Sequence, residues 1–169
     1  MECPSCESQR PMKSKRVIHR FRESGLDNLV LHGVKRFDCS QCGEVLFDYG
    51  NVNQLHALIA DTLLRKKDLL TGAEIRFLRT YVGYSGEIFS RLIGLGDKTS
   101  LSRIENGRSK VSNQVNMTVR FAVAGKMADR DYDLHDLLEA IENEGLIPFK
   151  TVEFRSSSRG LWEFKSGIA

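Results

Sequence analysis

The residues with the clearest chemistry are four cysteines, arranged as Cys3-Pro4-Ser5-Cys6 and Cys39-Ser40-Gln41-Cys42 with thirty-two residues between the pairs. Two C-x-x-C knuckles offer four thiolates that can close a tetrahedron around one metal ion, with Zn²⁺–S bonds of about 2.3 Å. Gly43 follows the second pair, where a residue without Cβ lets the backbone turn tightly beneath the sulfur; Glu7 holds the same place after the first. Other chemistries use the same residue type. Disulfides suit an exported chain, a rubredoxin-like iron site is built from similar knuckles, and a redox dithiol normally stands alone beside a βαβ unit. The expected cofactor is one structural Zn²⁺ per chain, held by Cys3, Cys6, Cys39 and Cys42. Four protein ligands leave no open coordination position, so hydrolysis at the metal is not expected.

A second group of residues could address nucleic acid. Lys98, Thr99, Ser102 and Arg103 fall on one face of a short predicted helix whose opposite face carries Leu101 and Ile104. Asn106, Arg108 and Lys110 continue the polar surface past the helix end. Arginine can bond bidentately to a guanine edge, while Lys, Thr and Ser can serve bases or phosphates. From Asp97 to Lys110, four basic residues outnumber two acidic ones. Glu105 is out of place near phosphates, and we expect it to pair inward with an arginine of an earlier helix, Arg79 by preference. The sequence shows no nucleophile–His–acid arrangement and no Gly-rich phosphate loop, so no enzymatic activity is expected. His19, His32, His56 and His135 are read as surface or packing residues.

These residues need elements to hold them. Arg16–Phe21 and Leu29–Leu31 read as short strands around the turn-prone Ser24-Gly25 and Asp27-Asn28, and Val45–Phe47 could pair with them. Residues 1–50 thus form a small β module too short to bury a sufficient core without its metal. From Val52 to Lys67 the apolar period changes to that of a helix, with Leu55, Leu58, Ile59 and Leu63 on one stripe and Arg65-Lys66-Lys67 as a solvated basic end; residues 51–69 form a linker. Residues 70–145 read as helices: Gly72–Val82, then Glu87–Ile93 capped by Ser85, then Lys98–Asn106 capped by Asp97 and stopped by Gly107. Only Gly94-Leu95-Gly96 separates the last two, and the small Ser90 lets them approach, which is the helix-turn-helix arrangement. Asn113–Met127 and Leu134–Glu144 read as further helices, suited to a dimer interface or to packing on their own core. In the extension 146–169, Thr151–Arg155 and Leu161–Lys165 alternate around Ser156–Gly160, as a covering hairpin or a detachable arm with Trp162 as an interface anchor. The expected fold class is α+β: a small zinc-bound β module, a linker helix, and an all-α helix-turn-helix domain with a C-terminal hairpin.

Composition is compatible with this reading. A hydrophobic content of 41% suffices for packed cores, and a net charge of +3 permits nucleic-acid binding without requiring it. No apolar run approaches the roughly 18–20 residues of a membrane span. The N-terminal residues lack the basic and apolar regions of a secretory signal, so a cytoplasmic location is expected.

Glu74-Ile75-Arg76-Phe77-Leu78-Arg79 followed by Ser102-Arg103-Ile104-Glu105-Asn106-Gly107 resembles the XRE/Cro-type helix-turn-helix domain. Placed after Cys-Pro-x-Cys and Cys-x-x-Cys-Gly-Glu, it resembles the MqsA (YgiT-type) zinc-finger antitoxins over roughly residues 1–125. The resemblance implies a zinc domain that can bind a cognate toxin and a dimeric domain that binds double-stranded DNA at a palindromic operator. It places Arg103 at a base-contacting position and Thr99 near a second one. Gly96 is a one-residue insertion in the turn, Gly86 stands where the family often has Gln, and the chain continues past the usual end. The function so implied is a sequence-specific, homodimeric repressor, acting as the autoregulatory antitoxin of a type II toxin–antitoxin module. The alternatives are a stand-alone regulator without a toxin and a zinc-dependent protein-binding adaptor.

Overall fold

The chain is a mixed α+β protein: among the described residues, five helices and a five-stranded sheet accompany the N-terminal cysteines. The computed structural model describes residues 1–8, 10–127 and 151–168. The helix expected over Leu134–Glu144 lies outside them. The described chain divides into two compact units. One contains Met1–Arg22, Asp27–Leu55 and the strands near the C-terminus; the other contains Glu23–Leu26 and the helices from His56 onward.

In the first unit, β1 (Lys13–Arg20) pairs antiparallel with the long β2 (Leu29–Asp38). The opposite edge of β2 is shared by two strands. Along Leu29–His32 it takes β4 (Thr151–Ser156) in parallel, and along Lys35–Asp38 it takes β3 (Val45–Asp48) antiparallel. Gly33 marks the switch. It is the extra residue where the β1–β2 register shifts between Val17 and Ile18, a bulge that bends the strand. β5 (Trp162–Ile168) closes the other side of β4 as an antiparallel hairpin. The period-two pattern of residues 151–165 therefore belongs to strands built into the N-terminal sheet, and the extension is not a detachable arm. Trp162 is only 3% exposed, and its indole Nε1–H donates to Tyr49 O at 2.9 Å. Gln54 brackets its backbone, donating to Trp162 O at 2.8 Å and accepting from Trp162 N at 2.7 Å. A ring so held is no interface anchor.

Helix α1 (Val52–Leu64) starts in the first unit and continues into the second. It stops three residues short of the expected Lys67, because Lys66 turns inward instead of completing a solvated end. Lys66 Nζ bonds both Glu74 oxygens, at 2.9 and 3.1 Å, and both side chains are buried. Arg120, which has no exposed surface, donates to the carbonyls of Leu64 at 2.5 Å and Asp68 at 2.7 Å. Those are carbonyls a helix end and its following loop leave without partners, so the guanidinium acts as an internal cap. Burial pulls the Arg120 pKa down to about 10.

The second unit continues through α2 (Gly72–Tyr81), α3 (Gly86–Leu92), α4 (Lys98–Glu105) and α5 (Asn113–Ala124). Each begins on a side-chain cap: Thr71, Ser85, Asp97 and Ser112. Thr71 and Glu74 complete a reciprocal capping box. The α3 stop is a Schellman turn, in which Gly94 N bonds Arg91 O and Leu95 N bonds Ser90 O; Gly94 takes the left-handed φ of +76° this requires. Helix α4 ends the same way at Gly107. The inner faces contribute Ile75, Leu78, Phe89, Ile93, Leu101, Ile104, Val115 and Val119 to the core.

Candidate metal centre and basic helix face

The two knuckles have matching backbones. Glu7 N bonds Cys3 O at 2.9 Å and Gly43 N bonds Cys39 O at 3.1 Å, so each C-x-x-C is one tight loop closed under its sulfurs. Gly43 has φ of +78° and Glu7 has φ of +51°, the one non-glycine residue in the left-handed region among those described. The symmetry of the loops therefore places a side chain where glycine would be easier. Cys39 N bonds Glu44 O at 2.9 Å, and Glu44 Oε2 accepts from Ser5 Oγ at 3.1 Å, which ties one knuckle to the other.

This geometry gathers four free thiols whose sulfurs all lie within 4.8 Å of one another. Two of the pairs run across the knuckles, Cys3 to Cys42 at 3.6 Å and Cys6 to Cys39 at 3.7 Å. A tetrahedral ion with bonds of about 2.3 Å needs sulfur–sulfur edges of about 3.8 Å, whereas a disulfide would bring them to about 2.05 Å. The four cysteines thus fit a closed structural metal site such as that of zinc. The chemistry of the thiols agrees. Backbone N–H groups of Cys42 and Gln41 hold the Cys39 thiol down, to about 6. At Cys6 the Ser8 amide favours the thiolate, but hydrogen bonding to Cys42, burial and the other two sulfurs outweigh it and push the pKa up to about 12. Four sulfurs this close can all ionise only with a cation among them. Cys3 and Cys39 are buried with Met12, and among the described residues the partly buried apolar side chains packed against this cluster are Phe37 and Leu46. So small a core leaves the local fold dependent on whatever the thiols hold.

No family model, no curated protein and no solved structure matches the chain.

Helix α4 carries the second candidate site. Leu101 and Ile104 are buried, while Lys98, Thr99, Ser102 and Arg103 are all exposed on the outer side. Asn106, Arg108 and Lys110 are exposed as well, the first as the C-cap and the other two in the following turn. Three of the seven are already engaged, Thr99 with the Asp97 carboxylate and the other two with each other. Asn106 Nδ2 donates to Ser102 O at 2.7 Å and Ser102 Oγ at 3.2 Å, and its Oδ1 accepts from Arg76 Nη2 at 2.7 Å. The side chains of Arg103 and Lys98 make no hydrogen bond or ion pair with other described residues.

Beneath this face lies the brace expected from the sequence. Arg79 Nε and Nη2 bond the two Glu105 oxygens at 2.6 and 3.2 Å, and Arg79 Nη1 reaches Tyr84 O at 2.8 Å. The Glu105 side chain is 8% exposed, and Arg76 adds a further ion pair at 3.5 Å. Its negative charge is therefore turned away from the exposed row.

Sequence reasoning missed two positions that set this geometry. Arg120 gives no signal in the sequence beyond a charge in an apolar helix. Gly72 reads as an ordinary helix start, yet a Cβ there would stand 1.9 Å from Ile104 O, so α2 and α4 meet backbone to backbone.

Proposed function

We propose that the chain is a sequence-specific DNA-binding repressor in which α3 and α4 form a helix-turn-helix and α4 reads the major groove. The observation that carries this reading is the division of α4 into two sides. Its inner side is fixed by Leu101, Ile104 and the Arg79–Glu105 pair, while its outer side presents a row of donors that includes two cations without partners among the described residues. Arg103 is the residue for a guanine edge, by bidentate donation to O6 and N7. Lys98, Arg108 and Lys110 serve phosphates, and Thr99 and Ser102 add shorter-range contacts. The stem of Lys98 fills the space left by Gly86, where a Cβ would stand 3.5 Å from Lys98 Cγ. That places the lysine over the start of α3, where the resembling family often has glutamine. Zinc in the Cys3–Cys6–Cys39–Cys42 site is structural, and the protein acts as a homodimer on a palindromic operator. The MqsA-like order of the two modules supports an autoregulatory antitoxin, with a toxin protein as partner; neither role needs catalysis.

The test is binding to the DNA upstream of the protein's own gene, by footprinting and by titration across salt concentrations. Wild type should protect a two-fold symmetric site. Arg103→Ala should cost about 1–3 kcal/mol and relax preference at one base pair of each half-site, and Lys110→Ala should lower the salt slope without changing preference. Binding without sequence preference, equal in wild type and Arg103→Ala, would overturn the reading in favour of a protein-binding adaptor.

A further inference from the structure

Where β2 changes partner from β4 to β3, the sheet edge opens into a cleft of about 240 Å³ within the first unit. Its lining is basic: Arg16, Lys35 and Arg159 face a single acid, Asp48. That acid is already satisfied by its own turn, with Oδ1 accepting from Gly50 N at 2.8 Å and Oδ2 lying 3.8 Å from Lys35 Nζ. The cations are less committed. Arg16 Nη1 donates to Gly33 O at 3.1 Å, which fixes its guanidinium at the wall and leaves its remaining N–H groups undirected. Arg159, in the turn between β4 and β5, has no hydrogen bond or ion pair with any described residue. Ser158 adds a hydroxyl beside it, and Trp162 gives the cleft one aromatic wall.

We propose that this cleft binds the phosphate group of a small anionic ligand, independently of the α4 face. Two planar guanidinium groups, one from β1 and one from the β4–β5 turn, and a hydroxyl present donors from several directions, which suits a tetrahedral polyoxoanion better than a flat carboxylate. The volume lies below the roughly 300–1,000 Å³ of pockets for drug-sized molecules, so the ligand is inorganic phosphate or a compact phosphomonoester. Sequence inspection passed over it, because its residues come from four separate segments.

The experiment uses the full, metal-loaded chain. Trp162 is the sole tryptophan, so its fluorescence and the NMR shift of its indole N–H both report on this wall. Inorganic phosphate, ribose 5-phosphate and acetate are titrated separately, with chloride holding ionic strength constant. Saturable responses to phosphate, to ribose 5-phosphate or to both, with a dissociation constant at or below about 1 mM, are expected. The pattern distinguishes a free ion from an ester. Arg159→Ala, which removes an exposed side chain without partners among the described residues, should weaken binding at least tenfold, and Arg103→Ala should leave it unchanged. A response no different from chloride, acetate binding as tightly as phosphate, or unchanged affinity in Arg159→Ala would overturn the proposal. A signal moved by duplex DNA and by neither small phosphate would do the same.

Discussion

Replacing Gly72 with alanine sets two effects of opposite sign against each other. In a helix, alanine is favoured over glycine by about 1 kcal/mol, so an exposed position would gain stability. Gly72 is the first residue of α2, and the added Cβ would stand 1.9 Å from Ile104 O, 2.9 Å from Ile104 C and 3.1 Å from Glu105 C. Each of these is backbone, so no side chain can swing aside. Relief requires α2 and α4 to separate by about 1 Å, which strains the buried Ile104 contacts and lengthens the Arg79–Glu105 pair. Overpacking of this kind costs about 1–3 kcal/mol, and a clash confined to backbone belongs at the upper end. The net expectation is a loss of about 2 kcal/mol. Urea unfolding followed by helical circular dichroism measures it as a lower midpoint at unchanged slope. An unchanged or higher midpoint would refute the argument, since only the propensity gain would then be operating.

Glu105→Gln should destabilise the helical unit by about 2 kcal/mol, because Arg79 keeps a largely buried charge without its partner. Adding Arg79→Met should recover part of the loss, and a thermodynamic cycle showing no coupling would contradict the brace. Chelation should remove one metal ion per chain and increase amide exchange in both knuckles. Rebinding should release protons and weaken as pH falls, since Cys6 and Cys42 hold their protons tightly without metal; pH-independent affinity would argue against thiolate ligation. Ser100, through its hydroxyl and then its backbone N–H, lowers the Asp97 pKa below the ordinary value. Stability from this cap is therefore present above the unfolded carboxylate pKa of about 3.9 and is lost as pH falls through the depressed folded value. Wild type should lose its advantage over Asp97→Asn on acidification below pH 4, which unfolding measured across pH will test.

What could be read in advance follows from the range of each signal. The cysteine pairs declare their chemistry in four residues each, and Ser85 and Asp97 declare helix starts because a cap acts within three residues. The Arg79–Glu105 pair was legible because an acid on an otherwise basic surface requires a partner nearby. Long-range pairing was not. Alternation in Thr151–Arg155 marks a strand but carries no address, so nothing pointed to Leu29–His32 as its parallel neighbour. Lys66 was misread for a related reason: a basic triplet after an apolar stripe resembles a solvated end, and only the fold brings Glu74 to it. Gly72 and Arg120 act through backbone approach and buried carbonyls, neither of which leaves a periodic trace.

The parallel seating of β4 beside β2 has a consequence for how the protein is made. As the chain leaves the ribosome, β1, β2 and β3 emerge early, but the edge of β2 away from β1 has no neighbour along Leu29–His32 until residues 151–156 appear. At about 5–20 residues per second that interval lasts several seconds, long enough for the intervening helical unit to fold first. The nascent sheet meanwhile carries an open edge beside Leu29 and Leu31, a template for pairing with another chain. Truncation before β4 would make that transient state permanent, and aggregation or capture by chaperones is its natural outcome.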